Sequence, residues 1–417
     1  MDDLLVGALV LPLGQGLDPG GAVVGLIKPW AAAAAGHAEA SISMPSLDDR
    51  LTRLVASIDQ GMLMERSHRY AEAETAYKAL LTDRAGLGLV AAAYGPFLER
   101  RGRRQEAIAL YDQILQSNPD DTEMLAARAR AAAKGSPPPQ KSLREGAADA
   151  IMVLAAVELA DKEQEVGLIY LRLTLRLNPN QSEAWLLVGD ALNGLNDPAG
   201  ARAAFAEVSP KSSHYVDART RLAWGWQNED KDQALKIAQE TVAQRPDSQD
   251  AKLTLADLLR SDERFEESSK LLDQVIDHEG AHAEWRLYYM RGIALERSDR
   301  WPEAERDLQK ALVLRPESPE VLNYLGYSWV NRGIKIPEGL AMIQKALDAQ
   351  PDEGAYVDSL GWAYYRLADY KKAVPLLERA ATLDAGDAEI KARAEAKLAS
   401  PEGADAAPAK PETVAAK

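Results

Sequence analysis

His278 and His282 stand four residues apart beside Asp277, Glu279 and Glu284. On one helix face that spacing can hold a zinc ion. Gly280 falls between the two imidazoles, in a longer connection, and ligands need an ordered helix face. The cluster therefore reads as a solvated loop, and no metal or other cofactor is expected. Gly14-Gln15-Gly16 with Gly20-Gly21 has the glycine content of a dinucleotide-binding loop. That chemistry needs a strand before the glycines, a helix after them and an acidic residue about twenty positions on. The spacing here is wrong and no strand–helix–strand pattern follows, so these glycines read as helix punctuation. His37, His68 and His214 are isolated, and the chain has no cysteine. Disulfides, thiolate zinc sites and a cysteine nucleophile are thereby excluded. There is no Gly-x-Ser-x-Gly elbow, no phosphate-binding Gly-Lys-Ser/Thr loop and no carboxylate pair outside a repeated pattern. No catalytic residue is assigned, and the chain is not expected to be an enzyme.

What the chain does carry is a period. Ala155, Gly189, Ala223, Ala256, Gly292, Gly326 and Gly361 follow one another at intervals of 33–36 residues, and Gly61 and Gly95 are 34 apart. Second small residues follow about twenty positions later, as Ala346 and Ala380 follow Gly326 and Gly361. A period near 34 made of two helices is the mark of a helical-repeat solenoid. The small residue lets the second helix of a unit lie close to the first, and large apolar residues fill the seam. Pro119, Pro179, Pro246, Pro316 and Pro351 close second helices, because proline cannot continue them.

This pattern resembles the tetratricopeptide-repeat (TPR) family, bacterial multi-repeat members especially, over roughly residues 48–385. The fold class implied is all-α, a right-handed superhelical solenoid of antiparallel helix pairs. The chain divides into N-terminal degenerate and TPR-like repeats at 1–134, a Pro-rich junction at 135–142, and a C-terminal array at 143–385. A capping helix is expected at 386–399 and a disordered Ala/Pro-rich tail at 400–417. Within the first segment, short helices are expected at 2–15, 22–35 and 37–44, and a lone helix at 121–134. Three consecutive prolines, Pro137 to Pro139, enforce an extended link, which places the domain boundary there.

The resemblance also implies a binding surface. In the family, the first helix of each unit (helix A) lines a concave groove, at positions three before and one, four and five after the signature small residue. Carried onto this chain, the partner-binding positions are Tyr289, Arg297, Asn323, Tyr327, Asn331, Asp358, Trp362, Tyr365 and Arg366. An asparagine offers a peptide backbone both a donor and an acceptor, and aromatic faces offer apolar area at small entropic cost. Two readings of these side chains stand side by side: contacts to a ligand, or packing between neighbouring helices. The paired Lys and Asn by which some members hold a C-terminal carboxylate are absent, since Asn323 has no matching inward lysine.

Composition bounds the partners. The net charge is −15 among 417 residues, with a pI near 5.0. Such a surface repels phosphate backbones, so nucleic acid is not an expected partner. Met1-Asp2-Asp3 is acidic where a secretory signal is basic, and the apolar run Leu4 to Leu13 holds Pro12 and is too short to span a bilayer. The next run, Ala22 to Gly36, is broken by Lys28-Pro29, so no direct membrane insertion is expected. As written the chain is expected in the cytoplasm, or in the periplasm or at the envelope if an N-terminal segment is missing. The expected function is a non-catalytic scaffold or adaptor that holds a partner peptide or helix in the groove. The alternative is an architectural subunit of a bacterial cell-envelope or secretion assembly, docking through its convex face or ends.

Overall fold

The computed structural model describes residues 19–45, 47, 50–82, 86–119 and 121–383. The helices expected at 2–15 and 386–399 and the tail at 400–417 lie outside these residues. Every regular element among the described residues is helical. In chain order they are α1 (Pro19–Ala34), α2 (Ala38–Ser41), α3 (Arg50–Arg66), α4 (Tyr70–Leu80), α5 (Leu87–Arg100), α6 (Arg104–Ser117) and α7 (Thr122–Ala132). Then come α8 (Leu143–Ala160), α9 (Gln164–Leu177), α10 (Ser182–Gly194), α11 (Pro198–Ala206), α12 (Tyr215–Trp226) and α13 (Lys231–Gln244). The last are α14 (Gln249–Ser261), α15 (Phe265–Glu279), α16 (Trp285–Arg297), α17 (Trp301–Leu314), α18 (Pro319–Arg332), α19 (Ile336–Ala349), α20 (Gly354–Arg366) and α21 (Tyr370–Leu383). No described helix is long and apolar enough to cross a membrane.

The described residues form two compact units, which divide between Thr241 and Val242. Within each, consecutive helices pair antiparallel around the small residues of the period. A β-carbon on Gly61 would stand 2.7 Å from the ring of Tyr77, and one on Gly292 would stand 2.9 Å from Leu308. In both cases the residue sixteen positions on fills the space the glycine leaves. Tyr77, Tyr111, Phe205, Leu272 and Leu308 are fully buried at this seam.

The first helices, α12 excepted, end in the same way. One residue beyond α18 and two beyond the others the backbone turns left-handed, at His68, Gly102, Lys162, Asn196, Glu263, Asp299, Gly333 and Ala368. The next N–H then reaches back five residues, as Arg69 does to Met64, Arg103 to Leu98 and Asp369 to Tyr364. This is the Schellman cap, which satisfies carbonyls that the helix leaves open. It sets the tight reversal into the second helix.

The Pro-rich stretch 135–142, expected to separate domains, lies inside the first unit. It is a strap, tied down by side chains far off in sequence. Arg66 donates to the Lys141 carbonyl (2.8 Å), Arg100 to that of Pro138 (2.9 Å) and Arg104 to that of Gly135 (3.2 Å). The strap ends at Ser142, whose hydroxyl and the Glu145 carboxylate form a capping box that starts α8. Helix α8 then packs on α1 and α3, which is why the helices after the strap belong to the same unit as those before it.

Candidate partner-binding groove

The expected groove residues lie in the second unit, on α16, α18 and α20. The signature glycines turn one side of each helix towards its own second helix. Positions three before and one, four and five after the glycine are thereby left on another side. Here the nine residues meet different fates.

Asn331, Trp362, Tyr365 and Arg366 form one ladder. The Trp362 indole N–H donates to Asn331 Oδ1 across α20 and α18 (3.3 Å). Trp362 and Tyr365 are stacked at 5.6 Å with planes 10° apart, and Tyr370 of α21 meets Tyr365 edge-on at 5.4 Å. The Arg366 guanidinium lies 5.9 Å from the Trp362 ring. Together they offer a broad aromatic face with amide and cationic edges.

Tyr289 belongs to a second group. It meets Tyr324 edge-on at 6.0 Å and Trp285 at 6.1 Å. Burial pushes its phenol above the ordinary range, helped by Tyr356 and Glu320 nearby and opposed by Arg260. The Tyr324 hydroxyl donates to Glu296 (3.4 Å), which also accepts from Arg332 (2.8 Å), and burial raises Tyr324 as well. These tyrosines stay neutral and serve as hydrogen-bond donors or acceptors, not as bases.

Asn323 and Asp358 are buried, at 8% and 2% exposed. Asn323 Oδ1 has no hydrogen-bond partner among the described residues. Most buried polar atoms are paired, and an unmade hydrogen bond costs about 1–3 kcal/mol. Tyr327 is half-buried against the core formed by Leu322, Val330 and Ile343. Arg297 departs from the stripe: its guanidinium lies 4.9 Å over the ring of Phe265, on α15.

Tyr324, Tyr356 and Glu320 join these groups without having been singled out in the sequence, while Glu296 stands at the inward position four after Gly292. Tyr356 stands five residues before Gly361, where Val321 stands before Gly326. That position reads as plain core, and only the size and hydroxyl of a tyrosine there mark it as different. His278 lies in the last turn of α15, and Gly280 turns left-handed (φ 55°) at the start of a short 3-10 turn, Gly280–His282. No group of three or more His, Cys, Asp or Glu suited to a metal occurs among the described residues.

Models of the tetratricopeptide repeat match residues 89–131, 226–288, 289–334 and 355–389. A TPR repeat-containing protein of Pseudomonas aeruginosa is 34% identical over 89 residues, which is 21% of this chain and 15% of that protein. Among solved structures, the TPR protein YrrB is 15% identical, covering 54% of this chain and 97% of its own, with a TM-score of 0.31. The Cut9–Hcn1 heterotetramer of the APC/C is 14% identical over 91% of this chain and 72% of its own, with a TM-score of 0.47. MamA is 18% identical over 44% of this chain and 97% of its own, with a TM-score of 0.34. A small residue that admits the next helix every 33–36 residues, in stretches that repeat models match one by one, makes these stretches of the chain tetratricopeptide repeats.

Proposed function

We propose that the protein is a non-catalytic interaction scaffold whose second unit holds an extended peptide or helix of a partner protein along α16, α18 and α20. The observation that carries this reading is the buried, unpartnered oxygen of Asn323. A backbone N–H of an incoming chain would supply the missing donor. Trp362 and Tyr365 add a flat apolar face beside it, and aromatic residues with arginine are the usual anchors of an interface. The net charge of −15 favours a partner with basic residues around its docking segment.

The test is chemical crosslinking and affinity capture from native lysate, comparing the wild type with Asn323→Ala and Tyr327→Ala. Both variants should lose the captured partner while the helical CD melt stays nearly unchanged. Persistence of the same partner at wild-type yield would refute the groove assignment. Crosslinks confined to α17, α19 and α21 would instead favour an assembly subunit that docks through its other face.

A further inference from the structure

In the first unit α1 lies across both α3 and α8, the helices on either side of the strap. Its contact with them centres on Trp30, which is fully buried. On one side the indole N–H donates to Asp59 Oδ2 of α3, at 3.1 Å. On the other the ring occupies the notch at Gly146 of α8, where a β-carbon would collide with it. Trp30 is thus a peg between two helices, and Asp59 is its polar hold. Both residues line a cleft of about 490 Å³ that also touches Met62, Lys141, Asp149 and Met152.

Asp59 is 3% exposed, and the cation that acts on it, Lys141, is paired with Asp149. From the strap, Lys141 pairs with Asp149 of α8, and Asp149 also accepts from Gln181 (2.9 Å). On α3 itself, Glu65 is held by Arg100 of α5 through two bonds of 2.8 and 2.7 Å. From α4 the nearby group is the buried phenol of Tyr77, and α1 offers the Trp30 N–H, with Lys28 exposed to solvent. A carboxylate left in that setting is costly, so the proton is retained.

We propose that the Trp30–Asp59 contact is a proton-dependent latch: it pins α1 across α3 and α8 while Asp59 is protonated, and frees α1 as that carboxyl ionises. Burial lifts the docked carboxyl to about 8, against 3.8 in the open form, outweighing the Trp30 N–H and Lys141, which favour the carboxylate, while the charge of Asp149 adds to the rise. Below pH 4 both forms hold the proton and pH has no effect. Between about 4 and 8 only the docked form holds it, so opening grows by up to about tenfold per pH unit. Above about 8 both are ionised and opening levels off.

Hydrogen exchange of the full chain at pH 5.5, 6.5, 7.5 and 8.5, corrected for intrinsic exchange rates, reads the opening of residues 19–34 directly. The expected result is a steep rise to pH 7.5 that flattens by 8.5. Asp59→Asn keeps an acceptor for the indole but cannot ionise, and should make the protection of α1 independent of pH. Asp149→Asn removes the neighbouring charge and releases Lys141, and should move the levelling-off point to lower pH. Flat wild-type protection of α1 would overturn the latch whether or not either variant folds. So would an Asp59→Asn profile with the wild-type slope, or an Asp149→Asn profile whose levelling-off point stays in place or rises.

Discussion

Gly326 and Gly339 meet backbone to backbone: a β-carbon on Gly326 would stand 2.7 Å from the Gly339 carbonyl oxygen, and the reverse distance is the same. Neither main chain can give way as the end of a flexible side chain could. Gly326→Ala should therefore cost about 2 kcal/mol, read as roughly a thirtyfold loss of amide protection in α18 and α19. Such residues were legible in the sequence, because close approach demands a small side chain and the demand recurs with the period. The burial of Asn323 was not legible. The inward position on helix A says where a residue sits, while its depth depends on how far helices α16 to α20 close over it. The Trp30–Asp59 bond was still less so, since Trp30 stands 29 residues before Asp59 and outside any regular repeat.

At the level of elements, the left-handed turn between the helices of a pair is more constant than its residue. Only Gly102 and Gly333 supply a glycine there, while His68, Lys162, Asn196, Glu263, Asp299 and Ala368 adopt positive φ at a cost of about 1–2 kcal/mol each. Ala368→Gly removes that strain and gives back part of it through a more flexible unfolded chain. The expected net effect is a stabilisation of about 0.5–1 kcal/mol, measurable as slower exchange in α20 and α21. The helix boundaries themselves could be read from prolines, caps and period. The strap could not, because three prolines look alike whether they link domains or lie against one. What distinguishes the cases is Arg66, Arg100 and Arg104, reaching it from 31 to 75 residues away.

At the scale of the whole molecule, each helix pair draws its stability chiefly from its neighbours, as in repeat arrays generally. Gly326→Ala should accordingly raise exchange in α18 to α21 and leave α1 to α11 at their wild-type rates. Uniform loss of protection along the chain would show a single cooperative fold instead. The first unit departs from the neighbour rule where α8 packs on α1 and α3. That contact also sets a clock on the making of the protein. Trp30 leaves the ribosome with Asp59 soon behind it, but Gly146 follows only after 116 more residues. At ordinary synthesis rates that is on the order of ten seconds. Throughout it, the apolar side of α1 carrying Val23, Leu26, Ile27 and Trp30 has only half its seat, which makes this stretch of the nascent chain the natural hold for a chaperone.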